Sequence, residues 1–153
     1  MAKRSTSFQI LADLAEQQTT NSAVKLANLN VDNKDAQEKL DLLLQYREDY
    51  QTRFEASAQL GINHLEWQNY REFMTKLDKA IAQQNEVVTN AKHRVQVGKK
   101  EWQTNHRKQK TFDTLSERDE RAKMRQKSKR EQSEQDEHAA KAHVRKTAAL
   151  DQG

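Results

Sequence analysis

Gln59-Leu60-Gly61-Ile62-Asn63-His64-Leu65-Glu66-Trp67 is the stretch on which the fold turns. Gly61 reaches positive φ at little cost, because it lacks the Cβ that crowds the left-handed region, and so it suits the position just past a helix end. Asn63 can cap a following helix with its side-chain oxygen. Glu66, three residues on, completes an arrangement like the capping box, and Ile62 and Trp67 stand where a hydrophobic staple would place them. These cues agree on a single sharp turn between two helices.

Working outward from this turn, both flanks carry apolar stripes with coiled-coil spacing, and the chain contains no proline to interrupt them. The first stripe reads Phe8, Leu11, Ala15, Gln18, Ser22, Lys25, Leu29, Asn33, Ala36, Leu40, Leu43, Arg47, Tyr50, Phe54. Its steps alternate three and four, with one extra step of four near Asn33 that resembles a stutter. The second reads Tyr70, Met74, Leu77, Ile81, Gln84, Val88, Ala91, Val95, Gly98, Trp102, Asn105, Gln109, Phe112, without a slip. Two long helices folded back on each other bury both stripes at once. The expected fold is therefore all-α, a long two-helix antiparallel coiled coil. With Ser7 as its cap and an end near Gln59, the first helix would be about 50 residues, or roughly 75 Å at ~1.5 Å per residue. A turn centred near residue 61 sets position i opposite about 122 minus i, so that Phe8 meets the neighbourhood of Thr114.

Composition supports this reading. Of 153 residues, 34% are hydrophobic and 33% charged, with a mean hydropathy of -1.17. That is too little apolar material for a globular core, yet enough for a two-helix seam. The pairing is used up near Leu115. Residues 5–115 are thus expected to form the hairpin, with its turn near 60–63, and residues 116–153 a charged helical extension, fraying or disordered, held by charge pairs such as Glu117 with Arg121. Gly98, inside the second helix, implies either close packing or a hinge, and packing is the simpler reading.

Several function classes fall away. Without cysteine there is no disulfide, thiolate nucleophile or thiolate metal site, and the expected setting is a reducing cytoplasm. The patch from Phe8 to Ala15 is broken by Gln9 and Asp13, unlike a secretory signal, and no run of about 20 apolar residues occurs. His138 and His143 stand five apart, where a helix-borne metal pair needs three or four. No phosphate-cradling glycine loop or supported nucleophile set is present, so neither an enzyme nor a cofactor is expected. Charge is uneven. Between Arg94 and Arg130, thirteen basic residues face five acidic ones, which makes the far end of the second helix a cationic tip suited to acidic partners. The alternative function is a basic coiled coil that binds nucleic acid or assembles into filaments. Against it, Trp102 and Phe112 fall on the seam, and acids interrupt the basic run.

Leu44, Tyr46, Phe73 and Ala80 do not fit the seam and are expected to flank the stripe on one side. With Leu43, Tyr50 and Leu77 they suggest an apolar strip wider than two helices need, of the kind that accepts a partner's loop or helix; the alternative is a broad seam that covers itself.

Leu40-Asp41-Leu42-Leu43-Leu44-Gln45-Tyr46-Arg47-Glu48-Asp49-Tyr50, Gly61-Ile62, Trp67-Gln68-Asn69-Tyr70-Arg71-Glu72-Phe73 and Leu77-Asp78-Lys79-Ala80-Ile81 together resemble the FliJ family of the bacterial flagellar export apparatus, related to the stalk protein of type III secretion injectisomes. The start from Phe8 to Ala15 and the tryptophan at 102 are similar as well, and the resemblance extends to about Leu115. It implies a coiled coil like the γ-subunit shaft of rotary ATPases. Such a shaft is a non-enzymatic component of motility and protein export that promotes assembly and activity of the hexameric export ATPase FliI, with its regulator FliH. The implied further partners are the export gate protein FlhA and emptied export chaperones, without nucleic acid or a small-molecule substrate. The implied location is cytoplasmic, peripheral at the inner membrane. The family's gate-contacting surface maps onto Lys39, Leu43, Tyr46, Tyr50, Phe73, Leu77, Ala80 and Gln84. Lys39 and Gln84 stand where the family has glutamine and histidine.

Overall fold

The computed structural model describes residues 7–151. Two helices account for nearly all of them, α1 from Ser7 to Gln59 and α2 from His64 to Asp151, and no strand occurs among the described residues. Ser7 is already helical, so it is not the cap of α1. The residues before Ser7 lie outside the described residues.

The turn is built as the sequence dictates. Gly61 has φ of 91°, and its N–H donates to the Ala58 carbonyl at 3.1 Å, while the Leu60 N–H donates to Ser57. Two of the last carbonyls of α1, those of Ser57 and Ala58, are thereby satisfied. Asn63 accepts from the Glu66 N–H at 2.8 Å, capping α2. Along the outside of α1, glutamine amides donate to acids one turn on, as in Gln37 to Asp41 and Gln45 to Asp49, each at 3.0 Å. Such pairs favour a helix before any tertiary contact forms.

Packing divides the chain into two compact units. In the unit Gln17–His106 the helices pair antiparallel. Phe54 stacks on Tyr70, Arg47 meets Asp78, Gln84 reaches Ala36 and Lys25 meets Glu101. All of these pairs lie within five residues of the register expected from the turn. Ala36, Leu40, Val88 and Ala91 form the core cluster, with Ile81 against it. Gly98 is a packing residue: a Cβ there would stand 2.8 Å from a Leu29 methyl carbon. In the other unit, which contains the start of α1 and α2 from Arg107, Ser116 donates to Gln9 at 2.9 Å, and Ala12 and Ala15 are buried. From Arg121 to Asp151, α2 is exposed on every side. Its Ala, Lys, Arg, Glu and Gln content favours a helix without a partner. At the start of the extension the ion pair found among the described residues joins Asp119 to Lys123 at 3.4 Å, not Glu117 to Arg121.

The second stripe is buried or half-buried at all its positions, but the first is displaced by one residue over its opening turns. Ala12 is 3% exposed where Leu11 is 39%, Thr19 is buried in place of Gln18, and Leu26 is half-buried where Lys25 is exposed. With these replacements the sequence Ala12, Ala15, Thr19, Ser22, Leu26, Leu29, Asn33, Ala36, Leu40 alternates three and four throughout. The stutter near Asn33 does not exist. It arose from assigning Lys25 and Gln18 to the seam, where the heptad places Leu26 and Thr19.

Candidate functional site

The turn side of the hairpin carries a continuous series of rings. Trp67 leans on Phe54, with centroids 5.8 Å apart, and Phe54 stacks on Tyr70 at 3.7 Å and 11°. Tyr50 stacks on Tyr70 at 5.7 Å and packs against Phe73 at 4.3 Å. Phe73 then meets Tyr46 edge-on at 6.0 Å. Offset and edge-to-face contacts of this kind suit the ring quadrupole and fix side-chain orientation as well as burying area.

Tyr46 ends the series at the surface, 54% exposed. It directly precedes the seam residue Arg47, just as Phe73 precedes Met74 and Ala80 precedes Ile81. In an antiparallel pair such positions share one flank. The Tyr46–Phe73 contact and the Lys25–Glu101 ion pair, with the same placement, mark that flank directly. Lys39, exposed, and Tyr46 come from α1, and Phe73 and Ala80, both half-buried, from α2. Leu43 and Tyr50 are half-buried seam residues beneath them. Leu77 and Gln84 lie deeper, at 7% and 8% exposure. The Gln84 Nε2 donates to the Ala36 carbonyl at 2.9 Å, so this side chain faces the opposite helix.

Leu44 belongs elsewhere. Two residues from Tyr46, it is turned by about 200° around α1 and occupies the other flank, although it too is exposed. Conversely, Leu42 and Val87 were not identified from the sequence as part of the strip. Leu42, 70% exposed, lies one turn from Tyr46, and Val87, also exposed, precedes Val88 as Ala80 precedes Ile81. The available signal was the exact seven-residue repeat Phe73, Ala80, Val87.

On the other flank, Arg47 Nε donates to Asp78 at 2.7 Å. The hydrogen bond, and then the charge of Asp78, hold the guanidinium pKa above its already high value. The pair is therefore charged on the arginine side at every ordinary pH. Trp102 stacks on His106 at 4.9 Å. Among the described residues no cluster of three His, Cys, Asp or Glu side chains could hold a metal ion, and no helix is long and apolar enough to cross a membrane.

Two long helices paired as an antiparallel hairpin, with a series of aromatic rings near the turn, define a two-helix coiled-coil protein. A family model described as flagellar FliJ protein matches residues 4–148. The flagellar FliJ protein of Escherichia coli (strain K12) is 28% identical over 136 residues, covering 89% of this chain and 92% of its own length. That of Salmonella typhi is 28% identical over 139 residues, covering 91% and 95%. The chain belongs to the FliJ family.

Proposed function

We propose that this chain is the stalk of a flagellar export apparatus: it promotes assembly and activity of the hexameric ATPase FliI, with the regulator FliH, and docks on the export gate protein FlhA through its open aromatic flank. Membership of the FliJ family makes it a component of the flagellar export apparatus. The hydrolytic chemistry belongs to the ATPase ring. The hairpin acts by contact alone, because an asymmetric shaft in a symmetric hexamer favours different conformations in successive subunits. Emptied export chaperones are further partners, exchanged at the cytoplasmic face of the membrane.

The observation that carries the gate contact is the Tyr46–Phe73 pair, half presented to solvent and braced from behind by Tyr50. A half-exposed aromatic in a charged coiled coil gains by desolvation only when a partner covers it. The gate residues are thus Lys39, Tyr46, Phe73 and Ala80 at the surface, with Leu43, Tyr50, Leu77 and Gln84 holding them in place. Changing Tyr46 and Phe73 together to alanine is expected to abolish swimming and capture of FlhA while the protein stays helical. Normal capture and motility in the double variant would remove the gate assignment. The cationic stretch from Lys99 to Lys129 is the part of α2 expected inside the ATPase ring. Reversing Lys123, Arg125 and Lys127 to glutamate is expected to lower the stimulation of ATP hydrolysis without affecting gate capture.

A further inference from the structure

The open flank carries more order than a patch needs. Phe73, Ala80 and Val87 are spaced seven apart, and each directly precedes a seam residue on α2. Two turns of helix separate successive members, about 10.5 Å at 1.5 Å per residue. Leu42 and Tyr46 line the facing edge from α1, and Leu42 and Val87 are among the most exposed large apolar residues of this side. A seven-residue apolar repeat outside the seam is the mark of a second seam, because only another helix lying along the first meets side chains at that interval.

We infer that this flank is a slot for one partner α-helix, which completes a local three-helix bundle over Phe73 to Val87. The inference rests on the gate reading above and specifies the form of the gate segment. Alternation of size along the slot sets the occupant's side chains. Phe73 is large, Ala80 is a methyl and Val87 is intermediate, so Ala80 forms a hole between two ridges. A leucine, isoleucine or phenylalanine knob from the partner fills it. Charge fixes the edges. Lys39 stands on the α1 side, and Lys76, one turn from both Phe73 and Ala80, stands on the α2 side; among the described residues neither forms an ion pair. The occupant is therefore an amphipathic helix with apolar residues at heptad spacing and an Asp or Glu facing each of Lys39 and Lys76, whereas Asp35 and Asp49, seven residues either side of Leu42, disfavour further acids on the α1 border.

The test measures binding of purified FlhA cytoplasmic region to the full chain and to five variants whose helicity and unfolding midpoint are checked first. Leu42→Asp and Val87→Asp are expected to weaken binding tenfold or more, although neither residue is in the set mapped from the family. Ala80→Leu fills the hole and is expected to weaken binding by a similar factor while raising the hairpin's helicity or leaving it unchanged. Lys39→Glu together with Lys76→Glu should weaken binding most at low salt, the difference fading as salt rises. If Tyr46→Ala with Phe73→Ala weakens binding but Leu42→Asp, Val87→Asp and Ala80→Leu do not, the helix slot is overturned and the gate reading stands. If none of them weakens binding, both are overturned.

Discussion

Within Gln17–His106, the layers next to the turn and the layers farthest from it follow the same heptad but are filled with different chemistry. From Ala36 to Phe54 and from Tyr70 to Ala91 the seam holds leucines, Met74, Ile81, Val88 and a run of rings. From Thr19 to Asn33 and from Val95 to Asn105 it holds Thr19, Ser22, Asn33, Gly98 and Asn105, with Leu26, Leu29 and Trp102 among them. A buried large apolar side chain is worth about 1.5–3 kcal/mol, and a buried serine or threonine far less. The first set supplies stability. The second supplies register through the part-buried Ser22–Asn105 contact, because a one-residue slip would strand those polar groups; the exposed Lys25–Glu101 pair at 3.2 Å adds little. The open flank therefore rises from the firmest part of the hairpin, where Tyr46 and Phe73 are already oriented before a partner arrives. That lowers the entropy lost on docking.

Truncations should break this comparison most plainly. Leu40→Ala, in the core cluster, is expected to cost about 2–4 kcal/mol in urea unfolding, and Leu29→Ala, half-buried beside Gly98, about 1–2 kcal/mol. Equal losses would mean that the two sets of layers are equally firm. Next in size are the turn residues. Gly61→Ala forces a Cβ into the left-handed region and Asn63→Ala removes the cap, each for about 1 kcal/mol, seen as a lower unfolding midpoint with unchanged slope.

A smaller effect of opposite sign is expected at Asn33, whose Oδ1 is buried without a hydrogen-bond partner. Asn33→Leu should stabilise by about 1 kcal/mol, and sedimentation should then report whether register loosens into dimers. Least of all, Gly98→Ala should change the unfolding free energy by under about 1 kcal/mol. The gain in helix propensity offsets the close contact, and the Leu29 methyl it meets is the far end of a side chain that can turn aside.

Much of this was legible in the sequence, and the exceptions have physical reasons. The turn could be read because Gly61, Asn63 and Glu66 each answer a separate backbone requirement. The stripe of α2 could be read because Met74, Leu77, Ile81 and Val88 differ sharply in polarity from their neighbours. The start of α1 misled because its seam is made of Ala12, Thr19 and Ser22, small residues that hydrophobicity ranks below the exposed Leu11. Leu26 beside Lys25 was the available signal, visible only once an unbroken three-four alternation was demanded. In the site, Tyr46 and Phe73 stood out as aromatics off the seam, whereas Leu44 was misplaced because sequence proximity hides a 200° rotation. The depth of Leu77 and Gln84 depends on the opposite helix, which no local pattern reports.

Amide hydrogen exchange of the free protein tests the central claim most directly, since it reads the local stability of each layer in one experiment. Amides of Ala36–Phe54 and Met74–Ala91 are expected to exchange at least tenfold more slowly than those of Thr19–Asn33 and Val95–Asn105. Uniform protection along both helices, or faster exchange beside the aromatic flank, would contradict it.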